Sequence, residues 1–217
     1  MNETFTEKQK RAVEIFKRLG EMYPDSKCAL IHKSAWELLV ATILSAQCTD
    51  KRVNIVTPLL FRKFKTINDF AEADIKELEN YIRSTGFFRN KAKNIQGAAQ
   101  KLIKDYKGIV PDSMEKLITL PGIARKSANV LLYVWFNKNE GVVVDTHVKR
   151  ITGRLGLTDK KTPEKIEKDL IKLFPRNDWG LLAYYLVDHG RALCKAPTPK
   201  CAECRLNNIC PSAKIYL

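Results

Sequence analysis

The 217-residue sequence contains no long apolar run. Its most hydrophobic stretches, Leu38–Ala46 and Val130–Phe136, fall far short of the ~20 residues that span a bilayer. The N-terminal MNETFTEKQKRAVEIFKRLG is charged throughout and lacks the apolar centre of an export signal. A cytoplasmic protein with no membrane partner is therefore expected. Strand alternation is as scarce. Gly141–Val144 has β character, but so short a run cannot anchor a sheet. Internal repeats, low-complexity tracts and linker-like segments are missing too. Negative charge is in short supply, with 24 Asp and Glu against 38 Lys and Arg, a formal net charge of +14.

What remains is a chain of ordinary globular composition, 45% hydrophobic and 29% charged, able to bury a core as one large domain or two small ones. Its basic excess suits a polyanionic partner, because each phosphate neutralised releases condensed counterions. A generally basic, well-solvated surface would give the same count. Helical spacing recurs along the chain: Trp36, Leu39, Val40, Ile43 and Leu44; Ile75, Leu78, Glu79 and Ile82; Leu182, Tyr185, Leu186 and His189. The N-terminus reads as an amphipathic helix with Val13, Phe16 and Leu19 on one face and Thr6 with Gln9 as a capping box. Asp112 with Glu115 makes a second box, and Thr162 caps a helix opened by Pro163. The fold class expected is all-α.

After His189-Gly190 the sequence turns Pro-, Cys- and Lys-rich, loses its periodicity and needs a staple. Four of the six cysteines fall here, at Cys194, Cys201, Cys204 and Cys210, spaced C-x6-C-x2-C-x5-C. In a reducing compartment one metal site explains them better than two disulfides. Zinc favours paired knuckles, whereas this pattern has one knuckle and two wider gaps. A cubane iron–sulfur cluster fits the uneven spacing at least as well. Spacing leaves both metals open; Cys28 and Cys48 stand apart.

The richest segment is LITLPGIARKSANV, Leu117 to Val130. It reads as a helix capped by Asp112, a stop at Pro121-Gly122, and a second helix at once. The turn needs Gly122 and aims the opening amides of the second helix outward, where they can bind phosphate without reading sequence. Arg125 and Lys126 sit on that first turn, where basic residues cost stability unless an anion is bound. Helical hairpins can also serve for packing alone. Downstream, in VVVDTH, Asp145 stands where a helix N-cap belongs. Backbone amides that hold such a carboxylate also orient it and keep it ionised.

Together, LPGIARKSAN, VVVDTHVKR and the cysteine spacing resemble the endonuclease III family of DNA glycosylases, in the helix-hairpin-helix superfamily. The resemblance runs in order from about Leu38 to Cys210 and includes ATILSAQCTDKRVN and STGFFRNKAKNI. It implies a [4Fe–4S] cluster on the four cysteines and a two-lobed fold. Residues 28–139 would form a continuous helical domain with the hairpin; residues 1–27 and 140–217 would form a second, carrying the cluster. It further implies a monomer that acts on duplex DNA containing damaged bases or abasic sites, nucleoid-associated in a prokaryote.

Bases inside a duplex are out of reach, so glycosylases flip the target nucleotide into a pocket, at a cost of roughly a few kcal/mol. By resemblance Gln47 fills the vacated space, and Phe87, or its neighbour Phe88, wedges in from the other side. Core packing suits Phe88 better. Gly122, Ala124 and Arg125 would meet the DNA backbone, and Asp50 and His147 are candidates for holding the flipped nucleotide. Family comparison makes Lys126 the nucleophile at the anomeric carbon. The helix N-terminus and burial are both expected to favour its neutral amine. Asp145 would stabilise the positive charge that develops on the sugar. A Schiff base and β-elimination would then nick the strand, with oxidised pyrimidines as the expected lesions. One departure is Ala124, where the family commonly has glycine; alanine resists positive φ, so an altered turn is expected. The alternatives are a monofunctional mismatch glycosylase, whose members typically lack this lysine, and a non-enzymatic DNA-binding module, which would need no carboxylate.

Overall fold

Twelve α-helical segments follow one another through the described residues, 3–217, of this computed structural model, and none of those residues is in a strand. Met1 and Asn2, where the expected second domain begins, lie outside them. In order they are α1 (Phe5–Met22), α2 (Ala35–Ser45), α3 (Asp50–Lys63), α4 (Ile67–Ala71), α5 (Ile75–Ile82) and α6 (Phe88–Tyr106). Next come α7 (Met114–Leu117), α8 (Arg125–Val134), α9 (Thr146–Arg154), α10 (Pro163–Leu173), α11 (Trp179–Ala192) and α12 (Ala213–Tyr216). The chain divides into two compact units. One takes Cys28–Lys138; the other takes the chain up to Lys27 and again from Asn139–Leu217.

The first unit is built round α2. Trp36 and the whole run from Leu38 to Leu44 are buried, so this helix is apolar on every side and lies inside its unit. It packs on α3, α6 and α8. Phe70 of α4 meets Trp36 edge-on at 5.3 Å and Phe64 at 5.2 Å. The small residues Ala92, Ala98 and Ala99 on the buried side of α6 let α4 close on it.

In the second unit α1 packs on α10 and α11, and α9 packs on α11. The buried stripe of α1 is Ala12, Ile15 and Leu19, with Phe16 half-buried beside it. Val13, expected on that face, is 53% exposed. The inward stripe includes a small residue, Ala12, that a count of large apolar side chains passes over. Val142 and Val144 are buried in the same core while Val143 is half-exposed. The alternation of Gly141–Val144 therefore makes an extended strap with one face inward, not a strand.

Two expected caps are corrected, and a third holds in position without its side-chain bond. In α1 the capping box is Thr4 with Glu7: Thr4 Oγ1 accepts from the Glu7 N–H at 3.3 Å and Glu7 accepts from the Thr4 N–H at 2.8 Å. Gln9, assigned to a box with Thr6, donates instead to the carbonyl of Lys172 at 3.0 Å. For α7 the N-cap residue is Ser113, without a side-chain bond, and Asp112 is drawn away into an ion pair with Lys138 at 2.5 Å. At α10, Thr162 occupies the N-cap before Pro163, but its side chain makes no capping bond.

Thr4→Ala is expected to cost about 1 kcal/mol in a urea melt, whereas Thr6→Ala changes little. A larger loss for Thr6→Ala would contradict the assignment.

Candidate active site

Between α7 and α8 the chain turns within four residues. Buried Met114, Leu117, Leu120 and Ile123 bolt this hairpin to the core that also takes Ala128, Leu131 and Leu132 of α8. The Ile123 N–H donates to the Leu120 carbonyl at 3.1 Å across Pro121-Gly122, and Gly122 has φ +79°. Proline followed by positive φ is the signature of a type II turn. A side chain at 122 is blocked twice, by that angle and by Asn94, whose Cβ would lie 2.9 Å from an added Cβ.

Ala124 is the N-cap of α8 with φ −96° and ψ 171°. Extended backbone suits alanine, so the altered turn expected there does not arise. No side chain caps α8, and its first turn carries no acidic residue. Gly122, Ala124, Arg125 and Lys126 are exposed around the helix start. The helix thus presents its opening amides and two cations on one surface, an arrangement suited to phosphate. Lys126 is on that surface and not buried, which corrects the expectation that the protein itself desolvates the amine.

Two other exposed residues of this unit share an uncommon backbone. Gln47, in the turn after α2, has φ 52°; Phe87, just before α6, has φ 48° and is 64% exposed. Left-handed conformation in side chains that are neither Gly nor Asn is costly and concentrates at functional sites. Phe88 is half-buried against the core, as core packing requires. Asp50 is half-buried and opens α3 behind the N-cap Thr49, which suits the helix dipole.

In the second unit Asp145 is the N-cap of α9, its Oδ1 accepting the Val148 N–H at 2.8 Å. Val144 and Val148, both buried, fix the backbone on either side. One turn on, His147 Nδ1 lies 3.2 Å from Arg150 Nη2. A guanidinium can only donate, so the ring proton belongs on Nε2. Burial holds the His147 pKa below its ordinary value against the pull of Asp145, with Arg150 and Arg191 acting in the same direction as burial. α9 and α11 are so close here that a Cβ on Gly190 would meet His147 Nδ1 at 2.5 Å.

Arg150 also donates to the Cys194 carbonyl at 3.1 Å, tying α9 to the cysteine segment. No disulfide joins any of the six cysteines. Cys194, Cys201, Cys204 and Cys210 line one small cavity together with Arg154 and His189. Donors face the sulfurs: Arg154 Nη1 reaches Cys194 Sγ and the Leu206 N–H reaches Cys204 Sγ, each at 3.4 Å. Arg154 also holds the carbonyls of Lys195 and Pro197 at 2.7 and 2.9 Å. His189 Nε2 is 3.7 Å from Cys204 Sγ, and Nδ1 is 2.9 Å from the Tyr23 hydroxyl. Burial pushes the His189 pKa down to about 4 and raises that of Tyr23 to about 12. Four thiols lining one cavity, with guanidinium and N–H donors to two of the sulfurs, suit a thiolate-held group in their chemistry.

Arg150, Arg154 and His189 were not singled out from sequence as site residues. The arginines leave a faint signal, two cations one turn apart on a helix just after VVVDTH.

A fold of this kind has many solved counterparts. The sequence profile of the HhH-GPD superfamily base excision DNA repair proteins matches residues 40–176. Endonuclease III of Synechocystis sp. is 53% identical over 207 residues, covering 95% of this chain and 94% of that protein. A solved non-covalent endonuclease III–DNA complex superposes with TM-score 0.90 at 39% identity, over 95% of this chain and 97% of the other. A trapped endonuclease III–DNA covalent intermediate has TM-score 0.90 at 40% identity, over the same shares. This chain belongs to the HhH-GPD superfamily of base excision DNA repair proteins and, within it, to the endonuclease III family.

Gly122→Ala is expected to lower stability by about 1–3 kcal/mol through the strained turn and to weaken binding to undamaged duplex. Melting curves and fluorescence anisotropy read the two effects; unchanged affinity would remove the hairpin from the DNA interface.

Proposed function

We propose that this chain is a bifunctional base excision enzyme, which removes oxidised pyrimidines from duplex DNA and nicks the resulting abasic site. The observation that carries the reading is Lys126, exposed on the first turn of an uncapped hairpin helix, in a chain 40% identical to one trapped in covalent attachment to DNA.

DNA would be gripped through its phosphates by the amides at Gly122 to Lys126 and by Arg125, a contact that carries no sequence information. Gln47 and Phe87 would invade the stack where the damaged nucleotide leaves it, an amide to pair with the stranded base and a ring to stack. Asp50 and His147 would face the flipped nucleotide, His147 as a neutral ring with its proton on Nε2.

Lysine attacks only as the neutral amine. A nucleotide seated over Lys126 would supply the dry surroundings that the protein alone does not. The lysine nitrogen bonds to C1′, the glycosidic bond breaks, and the base departs with its electron pair and takes up a proton. Positive charge on the sugar rises as the bond stretches, and the Asp145 carboxylate, held by the Val148 amide, would stabilise it. The bound amine loses a proton and the C1′–O4′ bond opens, O4′ taking a proton, to leave an iminium. This acidifies C2′, and loss of the C2′ proton expels the 3′ phosphate and nicks the strand.

Cys194, Cys201, Cys204 and Cys210 would hold a [4Fe–4S] cluster. The reading is supported by the four cysteines lining one cavity with donors facing two of the sulfurs, and by their uneven spacing, which suits a cubane cluster. When bound, the cluster crosslinks a segment that has little core of its own, so that its binding energy is folding energy.

Borohydride trapping on a duplex with thymine glycol is expected to give a covalent adduct with the native protein and none with Lys126→Ala. Base release without an adduct would indicate a monofunctional glycosylase, and no release a binding module. Asp145→Asn keeps an oxygen for the Val148 amide and is expected to lower single-turnover excision by about 10²–10³ with the melting curve unchanged. The purified protein is expected to be brown, with iron and sulfide in equal amounts; a colourless zinc protein would refute the cluster.

A further inference from the structure

Lys91 lies on the inward face of α6, in helical register with Ile95, Ala98 and Leu102, and is only 4% exposed. A buried lysine is costly unless its donors are matched. Here Nζ donates to the carbonyl of Leu44 at 2.7 Å and to that of Thr85 at 2.8 Å. These acceptors end two separate elements. Leu44 is in the last turn of α2, whose final carbonyls have no partner within the helix, and Thr85 closes the short 3-10 turn Arg83–Thr85.

Each of these carbonyls stands at the root of an unusual turn. Gln47 comes three residues after Leu44 and Phe87 two residues after Thr85, both in left-handed backbone and both exposed. One amine therefore ties together the roots of the two turns that display them. Burial lowers the Lys91 pKa, opposed by the nearby Cys48 thiol. The neutral amine still has two N–H groups, one for each carbonyl, so the tie does not depend on charge.

We infer that Lys91 is a positioning residue, which fixes the spacing between Gln47 and Phe87 so that both enter the duplex at one step. This rests on the assignment of those two residues to stack invasion. A buried tie of this kind differs from ordinary core packing in a measurable way. Packing supports every activity of the fold, whereas the tie matters only when a base must be taken out of a stacked duplex.

The test compares excision of thymine glycol from duplex with cleavage of an abasic site in single-stranded DNA, which requires no invasion. Lys91→Met keeps the side chain's bulk and removes both donors. Duplex excision in a single turnover is expected to fall on the order of 10- to 100-fold, the scale of a small misplacement of positioning groups. Single-strand cleavage is expected to be unchanged. Lys91→Arg, which keeps N–H donors, is expected to recover most of the duplex loss. Adding Lys91→Met to the Gln47→Ala, Phe87→Ala double variant is expected to lower excision no further.

Equal loss on both substrates, or a loss additive with the double variant, overturns the inference alone. If the double variant excises from duplex at the native rate, the assignment of Gln47 and Phe87 fails and the inference fails with it. Should Lys91→Met not fold, Lys91→Arg carries the same comparison: a loss confined to duplex, or none, agrees with the tie, and equal loss on both substrates refutes it.

Discussion

The first amides of a helix have no acceptors within it, and the way each helix start meets that deficit organises this molecule. At α1, α2, α3 and α5 a Thr, Ser or Asp side chain supplies the missing acceptor, and these ends are structural. At α9 the acceptor is Asp145, so the carboxylate proposed for the chemistry is also the one that caps a helix. At α8 there is no such side chain, and Arg125 and Lys126 add positive charge to a positive end. An unmet deficit on an exposed surface is an offer to an anion, and a duplex backbone is the anion that a +14 chain is suited to bind.

The cysteine segment is held from the α9 side by two arginines one turn apart. Arg150 takes the Cys194 carbonyl and approaches His147; Arg154 takes the Cys194 sulfur and the carbonyls of Lys195 and Pro197. The helix that begins at Asp145 thus ends as a support for the four-thiol cavity. Asp145 and the residue that meets the cavity stand at opposite ends of one nine-residue helix. Gly190 permits this by letting α11 lie against His147 where any side chain would intrude.

Much of the fold was legible because burial is periodic. The apolar stripes of α2 and α11 could be read from spacing, and the hairpin from Pro121-Gly122. Local choices between equivalent signals were not. Thr4/Glu7 and Thr6/Gln9 overlap as capping boxes in one short stretch, and a long-range bond from Gln9 to Lys172 settles which is used. Asp112 was lost to Lys138 in the same way. Of the candidate site, the hairpin and the Asp145 cap were derivable from residue chemistry, whereas the roles of Lys126, Gln47 and Phe87 came from family resemblance. The expected burial of Lys126 misread the site, because the position beside the glycine turn is an outer corner of its unit. Lys91 was invisible in sequence: a lysine at an apolar register position announces a buried donor, but not which carbonyls it will find.

Ala124 has a consequence beyond its own position. Its φ of −96° is open to every L-residue, so the backbone places no demand for glycine there. If the amides of α8 hold a phosphate as proposed, what limits the side chain is headroom. A methyl group still lets a phosphate settle on the neighbouring amides of α8, while a longer side chain would stand between them like a spacer under a lid. On that proposed contact, smallness at this position would be a dimension of the DNA rather than a requirement of the fold.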